Sequence, residues 1–234
     1  MLVCPAGVRL AAAASAVLLA GTAAAGCSVV SKINHIRQTV DSNRATIKSF
    51  TADLKDAKAK PFEVTYVTTG SSPTTITYAV RPPSDLAFTE TAASQGSATR
   101  LVENSSGAYS CSQASASSGW TCQKLGKASA TAQKALFSIY TPGHWAAFLE
   151  ALSIGAGLAG DKVTTSSKTV HGYSLKCVDL FAKHEGTSTI CTTSQGILGY
   201  VKVAAQTTAF QITRYTASPP ASAFQLPPGA TVTH

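Results

Sequence analysis

The sequence is poor in charged residues, and in carboxylates above all, which limits the chemistry it can perform. Charged residues make up 13% of the 234 residues, and 11 Asp and Glu stand against 19 Lys and Arg. Carboxylates so few and scattered give little support to paired acid and base catalysis. The G-x-S-x-G elbow, the S-x-x-K box, the P-loop and the H-E-x-x-H pair are also missing. We therefore expect a protein that is not an enzyme and that uses no cofactor and no metal.

The basic residues are in excess but dispersed along the chain. The formal net charge is +8, yet there is no Arg-rich helix and no basic cluster interleaved with aromatic residues. Nucleic acid is therefore not an expected partner. The excess positive charge favours a basic face that lies near an anionic membrane. The alternative is that it only increases the solubility of the protein.

A long apolar run occurs only near the N-terminus. Arg9 is followed by an apolar stretch from Leu10 to Ala20 and then by small residues, which is typical of a secretory leader; a retained membrane helix is the poorer alternative. The stretch Ala24, Ala25, Gly26, Cys27 resembles the lipobox of bacterial lipoproteins, in which the cysteine is diacylated and becomes the new N-terminus. Ordinary A-x-A cleavage is the competing route. The prediction is a signal peptide over 1–26 and a lipid anchor on Cys27 at the outer face of the cell membrane.

The number of cysteines supports a lipid anchor on Cys27. Cys4 leaves with the leader and four later cysteines can pair, so Cys27 is left over, and lipidation gives it a use. If Cys177 faces Cys191 across an antiparallel pair, Phe181 faces Thr187, and Ala182 to Gly186 form a five-residue loop. The same reasoning joins Cys111 to Cys122. We predict two hairpin disulfides; a zinc site is the alternative, but the spacing lacks a C-x₂-C knuckle.

Helical spacing gives way to strand spacing at Pro61. Apolar residues three, four or seven apart predict one helix or two over 28–60, with Asp41, Ser42 and Asn43 as a break and cap between two helices. From residue 62 an alternation of period two predicts a hairpin over "FEVTYVTT" and "TTITYAV", followed by further short strands. The expected organisation is a leader over 1–26, a lipid-anchored helical segment over 27–60 and one domain over 61–234.

An apolar helix pair interrupts the strands. Trp145, Phe148, Leu149 and Leu152 lie three or four apart after Pro142, which predicts two short helices between residues 130 and 160. They could line a lipid-facing cavity or simply pack in a core. After Lys162 the strands resume.

Three stretches resemble the LolA-like superfamily, and within it the exported lipid-carrier lipoproteins of mycobacteria and other actinobacteria. They are "FEVTYVTTGSSPTTITYAVRPPSDLAF" at 62–88, "TVHGYSLKC" at 169–177 with "GILGYVKVAA" at 196–205, and "FQLPPGATV" at 224–232. The resemblance implies an α+β fold: a strongly curved antiparallel sheet, an open half-barrel with helices on its concave side, which encloses an apolar cavity for acyl chains. The family pattern supplies no catalytic residues.

Two functions follow as hypotheses. The first is a membrane-anchored lipoprotein that binds or carries a lipid or similar amphiphile. The predicted cavity lining is Val64, Tyr66, Ile76, Tyr78, Trp145, Phe148, Leu149 and Leu152. The alternative is a non-enzymatic envelope lipoprotein that binds a protein partner and has no ligand cavity.

Overall fold

The computed structural model describes residues 26–57, 60–137, 144–151, 161–182, 186–204 and 206–233. The chain divides into two compact units, 1–35 and 36–234, and the account below concerns the second. Its helices are α1 (Gly26–Ala57, which begins in the first unit), α2 (Lys127–Phe137), α3 (144–151) and a short 3-10 helix (Ala221–Phe224). None of the described helices has the length and hydropathy needed to span a membrane.

Helix α1 is continuous, so the predicted break at residues 41–43 is wrong. Asn43, taken as a helix cap, lies inside the helix and is 2% exposed. Its side-chain Nδ2 donates to the carbonyl of Asp161 at 3.1 Å, and its Oδ1 accepts from the amide of Val163 at 3.2 Å. The polar residue therefore serves a contact with a distant strand, and this contact overrides its preference for caps and turns.

Twelve strands form one open, curved sheet. They are β1 (Phe62–Thr68), β2 (Thr74–Arg81), β3 (Asp85–Ala92), β4 (Ala98–Asn104), β5 (Gly107–Gln113), β6 (Thr121–Lys124), β7 (Lys162–Val170), β8 (Tyr173–Ala182), β9 (Gly186–Thr192), β10 (Leu198–Lys202), β11 (Ala209–Thr216) and β12 (Thr231–Thr233). The order is β12-β6-β5-β4-β3-β2-β1-β11-β10-β9-β8-β7. The α+β half-barrel expected from the sequence is confirmed. The sheet is mixed, because β12 runs parallel to β6.

The core lies between the sheet and the helices on its concave side. Ile47, Phe50 and Leu54 of α1 belong to one buried cluster with Val64 and Tyr66 of β1. Within each of these two groups the spacing matches the element: three or four residues on the helix, two on the strand. The Tyr66 ring also stacks on Phe210 of β11 at 4.2 Å between centroids.

Both predicted disulfides are formed. Cys177 faces Cys191 with 3.9 Å between Cα atoms, and Cys111 faces Cys122 with 4.0 Å. Phe181 faces Thr187, as the predicted register requires. The loop is shorter than predicted, since Ala182 pairs with Gly186 and only 183–185, which lie outside the described residues, separate the strands.

A C-terminal segment covers part of the opposite face. Phe224 of the 3-10 helix packs on Ala79 and Ala87, and the Arg81 guanidinium lies 4.6 Å from the centre of its ring. Arg100 donates to the carbonyl of Ala223 at 2.7 Å. Burial, which outweighs the charge of Glu63, lowers the pKa of Arg100. The small residues of β2 and β3 on this face leave room for the segment.

Candidate functional site

An apolar pocket of about 270 Å³ lies between α3 and strands β8 to β10. Its lining residues are Trp145, Phe148, Leu180, Ser188, Ile190, Val201, Lys202 and Val203. The exposed area of this lining is almost entirely apolar. Its volume is slightly below the lower limit of about 300 Å³ for typical small-molecule sites.

Three neighbouring strands bring the floor of the pocket together. Leu180 pairs with Ser188 across β8 and β9, and Ile190 pairs with Val201 across β9 and β10. Antiparallel partners place their side chains on the same face, so the apolar residues converge. The Ser188 hydroxyl accepts a hydrogen bond from the amide of Ala204 at 2.9 Å, which ties the end of β10 to β9.

Helix α3 supplies one wall through two aromatic rings. The Trp145 and Phe148 rings meet edge to face, 5.5 Å apart between centroids. Leu149, on the same helix, is fully buried in the core and anchors it, whereas Phe148 is 42% exposed. The spacing of three between Trp145 and Phe148 puts both rings on one side of the helix.

The structure divides the predicted cavity residues into two groups. Trp145 and Phe148 line the pocket, while five others belong to the buried core: Val64, Tyr66, Ile76, Tyr78 and Leu149. Leu152 lies outside the described residues. Whether any of these residues contacts a ligand stays a prediction.

The sequence reasoning missed the strand residues of the pocket. A signal was nevertheless present: the register set by the Cys177–Cys191 disulfide also pairs Val178 with Ile190 and Leu180 with Ser188. That register identifies a common face for Leu180 and Ile190. It does not identify the helix that lies over this face.

Few polar groups accompany the apolar lining. Among the described residues that line the pocket, Lys202 is the only charged one. The indole Nε1 of Trp145 is buried and finds no acceptor among the described residues. The pocket therefore has little with which to orient a polar substrate, and no described group of three His, Cys, Asp or Glu could hold a metal ion.

A second recess, of about 290 Å³, lies at the ends of β3, β4 and β5 and differs in character. Glu90, Thr99 and Ser112, which face one another across these strands, contribute to its lining. It is more open and more polar than the first. The pocket under α3 is therefore the better candidate for an apolar ligand.

Fold and pocket together define an open α+β half-barrel with an apolar pocket among its described residues. No family model matches the chain, and no curated protein matches it. Among solved structures it is similar to MucB (13% identity, TM-score 0.42, over 79% of this chain and 64% of that one) and to an uncharacterized conserved protein from Thermus thermophilus (5%, TM-score 0.44, over 80% and 97%).

It is also similar to the complex of Pseudomonas aeruginosa MucA and MucB, at 11% identity and a TM-score of 0.42 over 77% of this chain and 61% of that chain. The chain thus spans less than two thirds of the MucB chains. A similarity this distant says nothing about ligand or partner, so the site rests on its own geometry.

Proposed function

We propose that this protein is a non-enzymatic, extracytoplasmic lipoprotein of the LolA-like type that binds the apolar part of an amphiphile in the pocket under α3. One observation carries the proposal: the pocket is bordered by two aromatic rings and by aliphatic residues of β8 to β10, and its exposed lining is almost wholly apolar. The small volume favours a short segment of hydrocarbon over a whole lipid.

The strength of binding follows from chain length. Each buried methylene contributes about 0.8 kcal/mol, which corresponds to about a fourfold gain in affinity. A pocket of fixed volume accepts only a limited number of methylenes, and additional ones stay in water. Affinity should therefore rise with chain length and then level off.

Two tryptophans make this measurable. Replacing Trp120, which lies beside the Cys111–Cys122 disulfide, with Phe leaves Trp145 as the only indole. Saturated fatty acids of six to sixteen carbons, brominated at the terminal carbon, are titrated below their micelle concentrations, and quenching of Trp145 fluorescence reports occupancy. We expect quenching with a plateau in affinity along the series. Absence of quenching, or affinity that rises without a plateau, would contradict the proposal.

Two exposed phenylalanines provide a matched pair of variants. Phe148 is 42% exposed and lines the pocket, whereas Phe181 is 51% exposed and does not belong to the lining. Phe148→Ser should weaken binding about tenfold, because about 1.4 kcal/mol of apolar contact is lost. Phe181→Ser should leave binding unchanged. Equal effects of the two substitutions would indicate general surface adsorption.

The extracytoplasmic location and the anchor are part of the same proposal. The two disulfides support an oxidising compartment. The anchor is assigned to Cys27 on the lipobox-like residues before it. Mass spectrometry of the mature N-terminal peptide should find a diacylglyceryl cysteine, and Cys27→Ala should release the protein from membranes; an unmodified Cys27 would remove the anchor but not the pocket.

The alternative is a protein partner that inserts an apolar side chain into the same pocket. The exposed apolar residues Phe148 and Val203 at the rim of the pocket favour this alternative. If no fatty acid of the series binds and a partner crosslinks to the Phe148 position, this alternative replaces the lipid proposal.

A further inference from the structure

A second binding surface lies at the β7 edge of the sheet and is separate from the pocket. β7 is the last strand in the order, and its nine residues contain no proline. Every residue from 164 to 169 is exposed. The other edge, β12, has only three residues. A long edge strand of this kind is a template for an additional strand.

The hydrogen-bond pattern shows which backbone groups of β7 point outward. The amide of Val163 donates to Asn43 and not to β8. Because alternate residues of an antiparallel pair point alternately toward and away from the partner strand, Thr165, Ser167 and Thr169 also present their amides outward. The two-residue turn at His171 and Gly172, between the paired Val170 and Tyr173, requires the same alternation.

The contact with Asn43 also marks where the available edge begins. Asn43 occupies the carbonyl of Asp161 and the amide of Val163. In the part of the chain that the structure describes, no strand pairs with the outer side of 165–169. This leaves a free segment of five residues, which is about the length of a common strand.

The charge around this edge selects the partner. The β7–β8 hairpin carries three exposed lysines, Lys162, Lys168 and Lys176, and the ammonium of Lys168 lies 4.2 Å from the centre of the Tyr200 ring. Its only carboxylate, Asp179, accepts hydrogen bonds from the hydroxyls of Ser166 and Thr189. A second copy of this chain is disfavoured, because each copy carries a formal charge of +8 and would bring its own lysines to the contact.

We propose that the edge segment 165–169 binds an extended acidic segment of a protein partner by strand addition. Backbone hydrogen bonds to the outward groups of Thr165, Ser167 and Thr169 supply affinity, and the net positive charge of the hairpin favours carboxylates over cations. This interaction does not depend on the amphiphile pocket and can hold if that proposal fails.

A labelled nine-residue peptide of alternating threonine and glutamate tests the proposal, with a twin that has lysine in place of glutamate. Fluorescence anisotropy should show binding of the acidic peptide to the purified protein, at least about tenfold tighter than the twin. Residue-resolved hydrogen exchange should show new protection at Thr165 and Ser167. The backbone amide of Ser166 points toward β8 and should be protected from exchange with or without the peptide.

Ser167→Pro removes the outward backbone amide of residue 167 without breaking a hydrogen bond to β8. Ser167→Ala keeps this amide and serves as the control. The proline should weaken peptide binding about fivefold to tenfold, and the alanine should not. If the peptides bind equally, or if protection arises elsewhere, the proposal is overturned. The exchange result decides the matter with the unaltered protein even if the proline variant does not fold.

Discussion

Replacing Asn43 with alanine tests whether one buried amide holds helix α1 to the start of β7. The side chain is 2% exposed and joins two backbone groups 118 and 120 positions away in the chain. Truncation removes both hydrogen bonds at once. Water cannot easily replace the bond to Val163, because that bond is buried.

The expected cost follows from the two groups that lose their partner. An unsatisfied buried amide at Val163 costs about 1 to 3 kcal/mol, and the part-buried carbonyl of Asp161 costs about 1 kcal/mol. The better helix propensity of alanine returns about 0.5 kcal/mol. The free energy of unfolding should therefore fall by about 1.5 to 3.5 kcal/mol.

Urea unfolding followed by far-ultraviolet circular dichroism measures this difference, with Ser42→Ala as the control. Ser42 is the exposed neighbour in the same helical turn, and its truncation should change stability by less than about 0.5 kcal/mol. The amide of Val163 should also exchange faster in the Asn43 variant. If both alanine variants are equally stable, the argument that Asn43 is held by distant partners is refuted.

Three further outcomes are expected. Gly199→Ala should lower the free energy of unfolding by about 1 to 3 kcal/mol, because a Cβ there would lie 2.5 Å from Cδ2 of Leu175. A double-mutant cycle with Leu175→Ala should show that most of this loss disappears once the leucine is shortened. Burial raises the pKa of Tyr78 to about 12, so this tyrosine ionises at lower pH in the unfolded state than in the folded state. The free energy of unfolding should therefore fall between about pH 10 and pH 12, and it should fall less steeply in Tyr78→Phe. Replacing Cys177 and Cys191 with alanine should cost about 3 kcal/mol for a loop of this size, and should weaken quenching by the brominated fatty acids more than removal of the other disulfide does.

The local features of the fold were predictable from the sequence where a period or a covalent constraint acts over a short distance. Alternation predicted β1 and β2, and the cysteine spacing predicted the register of β8 and β9 down to the pairing of Phe181 with Thr187. These inferences need only neighbouring residues and the geometry of an antiparallel pair.

The features that depend on distant parts of the chain were not predictable in the same way. Asn43 looks like a helix cap because its local preference is for caps, and only the strand that begins after Asp161 explains its place inside a helix. Distant parts of the chain also decide which of the predicted cavity residues line the pocket and which belong to the buried core. Tyr66 and Tyr78 alternate as cavity residues would, and both belong to the buried cluster that also contains Ile47, Phe50 and Leu54 of α1.

The cross-strand pairing gives each half of the sheet an apolar row of residues, and the apolar pocket lies over the row that crosses β8 to β10. One row of paired residues runs from Val64 through Tyr78, Phe88 and Leu101 and then becomes polar at Ser110. A second row runs through Phe210, Val201, Ile190 and Val178 and becomes polar at Thr165 of β7. The two rows are equally long, so the helix above them makes the difference. An apolar ligand gains burial only where two conditions hold: an apolar row is present, and a helix lies above it without filling the space. In the described part of the chain both conditions are met where Trp145 and Phe148 of α3 lie over Val201 and Ile190.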